Sequence, residues 1–205
     1  MTSKKSKTRE TAAITTFIAL SALLEFLSDV CPLRVPWGMS IDFVAVPVLI
    51  AFFALGLRCA ILVCIGMLIA LYLIMPIHFI GPIMKFLATL PMFLAPAIMS
   101  SLRGAPPHKL FKSPLWATLA AAAGIALRLA VVIPMNYYVA VPLFLGMSPN
   151  EIIKLPMFGG TLLGFIWFVA SMNICQGVID IGVSWSIAFK VGVVDLLRRY
   201  VKSSK

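Results

Sequence analysis

Residues 115–145 read LWATLAAAAGIALRLAVVIPMNYYVAVPLFL, an apolar run broken by one charge, Arg128, and one amide, Asn136. About 20 such residues in a helix cross the hydrocarbon of a bilayer. The run is therefore read as a spanning helix with residues to spare. A polar side chain inside a membrane segment is costly and usually faces a bundle interior, a cavity or a ligand. That makes Asn136, within Met135–Leu143, a candidate ligand contact. A second stretch, Met172–Asp180, reads MNICQGVID. Its Asn173, Gln176 and Asp180 are spaced three and four apart and so share one helix face. The expectation is that Asn136 meets this polar face and that their meeting point is a ligand site.

The rest of the chain fits a membrane setting. It has 205 residues, 61% of them hydrophobic, and a mean hydropathy of +1.05. These values exclude an ordinary soluble domain. The net charge of +10 could point to nucleic acid. However, the charges gather at the ends of apolar runs, without an aromatic-interleaved basic patch. Six apolar segments can be drawn, at 12–30, 42–56, 59–77, 79–101, 115–145 and 157–197. The expected fold is an all-α integral membrane protein: a six-helix bundle in one transmembrane domain, residues 1–205. Residues 1–10 form a basic tail and 31–41 an outer loop able to cap the ligand site. With the N-terminus inside, Lys4, Lys5, Lys7, Arg9, Arg58, Arg103, Lys109, Lys112, Arg198, Arg199, Lys202 and Lys205 lie inside. Only Arg34 and Lys154 lie in outer loops. This positive-inside bias predicts that both termini are cytoplasmic, in the cell membrane.

Individual segments add detail. The basic start leads into an apolar run, but Glu25 and Asp29 follow without a small-residue cleavage site, so the run is read as a retained helix. Thr11, Thr15 and Ala19 recur every fourth residue, with Ala12 and Ala22 alongside. Small residues at this spacing admit a close helix, either within this bundle or on a separate subunit. Pro32, Pro36, Trp37 and Gly38 mark the outer loop, with Trp37 suited to the interface. Asp42 reads either as the N-cap of the next helix or as a ligand contact. Pro82 suits a first helical turn, and Lys85, one turn in, either snorkels outward or donates to a ligand. Pro91 and Pro96 are expected to bend that helix. Cys31, Cys59, Cys64 and Cys175 lack metal spacing and read as small buried apolar residues. His78 has no partner spacing.

A geometric argument links the last two segments. Asn136 is eight residues beyond Arg128, about 12 Å along a helix. Asn173 is seven residues from Asp180, about 10.5 Å in the antiparallel helix. If Arg128 pairs with Asp180, Asn136 comes level with Asn173 and Gln176. The expectation is a charge pair with an amide cluster above it. Among chemical signatures, the sequence has no GxxxxGK[ST], no HExxH, no GxSxG and no paired carboxylates at catalytic spacing. It reads as a binding protein, not an enzyme, with no cofactor of its own. Amides offer both donors and acceptors and suit a neutral, hydrogen-bond-rich ligand.

Several stretches together carry a family resemblance. They are the basic start with an Ala-bearing first helix, Ser40-Ile41-Asp42-Phe43-Val44-Ala45-Val46-Pro47 with Gly56 after it, Asn136-Tyr137-Tyr138 with Pro142-Leu143, and Asn173-Ile174-Cys175-Gln176-Gly177. In order and spacing the chain resembles the substrate-binding S components of energy-coupling-factor vitamin transporters, most nearly the riboflavin-specific branch. The resemblance implies six helices and a riboflavin pocket near the outer side, with Asn136 and Asn173 bonding the vitamin. It also implies a transmembrane coupling subunit and two cytoplasmic ATPase subunits, docked partly through the first helix. Gln176 departs from the branch, which usually has Lys there, and Thr stands in the first helix where Ala is expected. The expected ligand contacts are therefore Asn136, Asn173 and Gln176, with Lys85 and Asp42 behind them. The alternatives are an S component for another vitamin, such as thiamine, or a modified-base precursor, and a secondary transporter driven by an ion gradient through Asp180.

Overall fold

A computed structural model describes residues 4–30, 41–74 and 80–202. The described residues are all-helical, in the order α1 (Lys4–Val30), α2 (Val46–Leu55), α3 (Leu57–Ile74), α4 (Ile80–Leu102), α5 (Pro107–Leu110) and α6 (Pro114–Met135). A π-helical turn, Asn136–Ala140, joins α6 to α7 (Val141–Leu145), and α8 (Pro149–Ile152) follows. Then come α9 (Leu162–Trp185), a second π-helical turn (Ser186–Lys190) and α10 (Val193–Lys202). Five helices, starting at Lys7, Leu57, Ile80, Pro114 and Leu162, are long and apolar enough to cross a membrane. The chain thus has the make-up of a multi-pass membrane protein.

The second apolar segment is the odd one. It gives a helix of only ten residues, about 15 Å at 1.5 Å per residue and half the thickness of a hydrocarbon core. Every residue from Val46 to Ala54 is buried. A helix that is apolar all round belongs in a core, and α2 forms the axis of this one. Phe52 stacks on Phe111 at 6.0 Å, and Phe53 stacks on Phe189 at 5.4 Å. Leu49, Met67, Met92, Phe93 and Ile181 fill the same cluster. Close approach of α4, α6 and α9 depends on two glycines. A Cβ on Gly124 would lie 3.3 Å from Met92 Cα, and one on Gly177 would lie 2.7 Å from an Ile125 side-chain carbon.

The elements refine the apolar segments. The basic start is part of a helix, since α1 is helical from Lys4. The last long segment is broken: Gly192, at φ 85°, ends the spanning helix and starts the separate α10. Pro91 and Pro96 lie inside α4. Cys59 and Cys64 are buried as expected, but Cys175 is exposed. The outer loop with Cys31, Arg34 and Trp37, and His78, lie outside the described residues.

The first and last helices share one end of the bundle. The Arg9 guanidinium donates to the Tyr200 carbonyl at 2.9 Å and lies over the Tyr200 ring. At the same end Arg198 donates to the Ala54 carbonyl at 3.3 Å, capping α2, and to His108 Nδ1 at 2.9 Å. The opposite end is closed by a smaller core of Val141, Ile152, Phe158, Phe165 and Val169.

Candidate functional site: a buried polar network

The non-helical turn before α2 decides where the polar residues go. Irregular backbone at membrane depth persists only where protein satisfies its N–H and C=O groups. Here two helix-borne side chains and one local side chain do so. Ser21 of α1 donates to the Val44 carbonyl at 3.0 Å. Gln176 of α9 clips Asp42 at both ends: its Oε1 accepts from Asp42 N at 3.1 Å and its Nε2 donates to Asp42 O at 2.7 Å. Ser184 donates to the Asp180 carbonyl of its own helix at 2.5 Å and lies 3.4 Å from the carbonyl of Val46, the first residue of α2. Asp42 Oδ1 accepts from Val44 N at 2.9 Å. Gln176 lies fourteen residues into α9, about 21 Å along its axis.

Two ion clusters flank this clip. On one side Lys85 of α4 lies between Asp42 Oδ2, at 2.5 Å, and Glu25 Oε2 of α1. On the other, Arg128 of α6 donates from Nη1 to Asp180 Oδ2 at 2.9 Å and from Nε to Asn173 Oδ1 at 3.0 Å. Gln176 Nε2 also donates to Asp180 Oδ1 at 2.7 Å, joining the two sides. The α9 stripe of Asn173, Gln176, Asp180 and Ser184 is buried throughout.

Each expected site residue can now be placed. Gln176 and Asn173 are in the network, with Asn173 Nδ2 also on the Val169 carbonyl at 2.9 Å. Lys85 does not snorkel: its ammonium turns inward onto two carboxylates. Asp42 does not cap α2, whose N-cap is Ala45 without a side-chain bond; its carboxylate folds back on Val44 N instead. The Arg128–Asp180 pair is present, but the amides do not form a separate layer above it, because the long Arg128 side chain reaches Asn173 and Asp180 together. Asn136 does not bond to the α9 face. Its Nδ2 donates to the Val132 carbonyl of its own helix at 2.8 Å, and its Oδ1 is a buried acceptor without a partner among the described residues. Asn136 opens the π-helical turn, where Pro142 has no N–H for the normal ladder and Val141 N bonds Asn136 O instead.

Sequence reasoning missed Glu25, Ser21 and Ser184. Glu25 had a signal: a carboxylate within an apolar run is a functional candidate by default. The hydroxyls had none, since Ser in a spanning helix is common. Among the described residues no group of three or more His, Cys, Asp or Glu is placed to hold a metal. Comparison with known proteins finds no matching family model, no matching curated protein and no matching solved structure.

Proposed function

We propose that the chain is the ligand-capturing membrane subunit of a vitamin uptake system, an S component of the energy-coupling-factor type, with riboflavin as its ligand. The observation that supports this is a polar network drawn from α1, α4, α6 and α9, enclosed in an apolar bundle. Apart from this network, Asn136 Oδ1 is a buried acceptor open to a ligand's hydrogen-bonding edge. In this reading all six apolar segments belong to the bundle, both termini face the cytoplasm and the protein sits in the cell membrane. Asn136 and Asn173 contact the ring. Gln176, Lys85 and Asp42 act one step back, shaping the pocket wall through the bonds described above.

The reading includes a transmembrane coupling subunit driven by two ATPase subunits. An exposed face of α1 carrying Thr8, Thr11, Ala12, Thr15, Thr16 and Ala19 is consistent with such docking. The hydroxyls of Thr11, Thr15 and Thr16 donate back to carbonyls four residues earlier. The threonines therefore present a small-residue face, as alanine would.

An absorption spectrum of the detergent-purified protein, followed by a riboflavin fluorescence titration, tests the reading. Stoichiometric quenching is expected. Asn136→Ala should weaken binding about tenfold, the worth of one buried hydrogen bond. Unchanged affinity removes Asn136 from the site, and a colourless protein that ignores riboflavin removes the flavin assignment.

A further inference from the structure

We propose that the buried network is a site for one monovalent positive charge, which enters with the ligand. The proposal rests on the binding reading above and names the charge class of what is bound. Among the described residues the network holds three carboxylates, those of Glu25, Asp42 and Asp180, against two cations, Lys85 and Arg128. Lys85 is shared by two carboxylates. Arg128 is shared between Asp180 and the neutral Asn173, and the second oxygen of Asp180 receives only the neutral amide of Gln176.

Glu25 marks where the missing charge belongs. It is 1% exposed and its Oε2 is on Lys85, while its Oε1 has no hydrogen-bond partner among the described residues. A buried carboxylate short of a counter-charge is costly, and a buried acceptor without a donor marks a place for one. The surrounding helices do not supply it. Arg58 is at the start of α3, Arg9 at the start of α1 is bonded to Tyr200, and Lys190 lies over the Trp185 ring at the other end of α9. Gln176 bonds the Asp42 main chain and one carboxylate oxygen, Asp180 Oδ1, and is neutral; an ammonium at that position would bring the count to three against three. Two sources share the required chemistry. One is a ligand that is itself a cation and donates to Glu25; the other is a neutral ligand accompanied by an alkali ion.

The test is ligand binding and thermal unfolding of the purified full-length chain at fixed ionic strength and pH. The probes are thiamine as a permanently cationic ring, riboflavin in sodium chloride, riboflavin in the chloride of a bulky organic cation, and sodium alone. The expected result is one of two. Either thiamine binds at least tenfold tighter than riboflavin, or riboflavin binds at least tenfold tighter with sodium than with the bulky cation. Glu25→Gln removes one negative charge without touching the Gln176 clip and should reduce that preference at least tenfold. Gln176→Lys gives up the acceptor for Asp42 N but supplies the charge internally and should abolish the preference, while Gln176→Met, which loses the same bonds without the charge, should keep it; that pair carries the test if Glu25→Gln does not fold. Riboflavin bound equally in both salts, with thiamine ignored, overturns the cation site and leaves the binding reading intact. A response to pH alone overturns it too, as does a cation preference that emerges only after Arg34→Ala, since the chain then balances its own charge. A preference unchanged in Glu25→Gln overturns the site at Glu25. No binding of either vitamin and no stabilisation by sodium overturns the cation site and the binding reading together.

Discussion

Arg128 and Asp180 are both buried, so their pairing is best judged by breaking it on one side. Arg128→Ala leaves the Asp180 carboxylate without its cation and Asn173 Oδ1 without its donor. Losing one partner of a buried pair costs about 3–5 kcal/mol, to be read as a lowered unfolding temperature in detergent. Arg128→Met combined with Asp180→Leu should recover part of that loss, because the unpaired Asp180 charge is gone while Asn173 Oδ1 stays without its donor. A double variant no more stable than the single one would show that the Asn173 bond, and not the ion pair, carries the loss. The pair was legible from the sequence because two opposite charges stand inside apolar segments and pairing lowers the cost of burying both. The inward turn of Lys85 was not. Whether a lysine one turn inside a helix snorkels or turns in depends on what waits inside. Here that is Glu25, sixty residues earlier on another helix. The fate of Asp42 was hidden for a similar reason: an N-cap and a local turn both use a short carboxylate near a helix start, and only the Gln176 clip selects between them.

The connection between α7 and α9 carries two predictions. A Cβ on Gly164 would lie 1.9 Å from the Phe158 carbonyl oxygen, a backbone atom held by its own turn. Gly164→Ala is therefore expected to destabilise by about 1–3 kcal/mol through overpacking, while Gly81→Ala, which meets open space, should leave the unfolding temperature nearly unchanged. Equal effects would show that the connection yields to the added methyl. Further along, α8 begins with a reciprocal cap: Glu151 accepts from the Ser148 hydroxyl at 2.6 Å and from Ser148 N at 2.8 Å. The hydroxyl bond first, then the backbone bond, holds the Glu151 carboxyl below its ordinary range. A lowered value means the cap contributes above the usual glutamate range, about 4.3, and is lost as pH falls through the lowered value. Amide exchange at 148–152, corrected for the intrinsic pH dependence, should lose protection across that acid window, and Ser148→Ala should flatten the change. Among the elements, the long apolar spans were plain from composition. The second segment, 42–56, was visibly short for a span; the turn at its start was harder to see, because an apolar run does not show which part is helix and which part is held by distant side chains.

At the scale of the whole molecule, the polar residues of the spans form one connected network instead of separate sites. Its members come from positions 21 to 184, and its centre is a stretch of backbone. This is why the amide spacing on α9 was legible while the role of Gln176 was not: the sequence shows which face is polar, but the partner of that face is a main chain with no identity of its own. The network also sets an order of events. The turn and helix of α2 are synthesised early, yet the groups that satisfy their ends are Gln176, at a separation of 134 residues, and Arg198, at 144 from Ala54. At about 5–20 residues per second, the wait for Gln176 is roughly 7–27 s. During biosynthesis the first third of the chain therefore reaches the bilayer with the ends of α2 only partly satisfied, by Ser21 and Asp42. It must be sheltered, by the insertion machinery or by a shallow position near water, until the last spanning helix emerges and closes the fold from the C-terminal side.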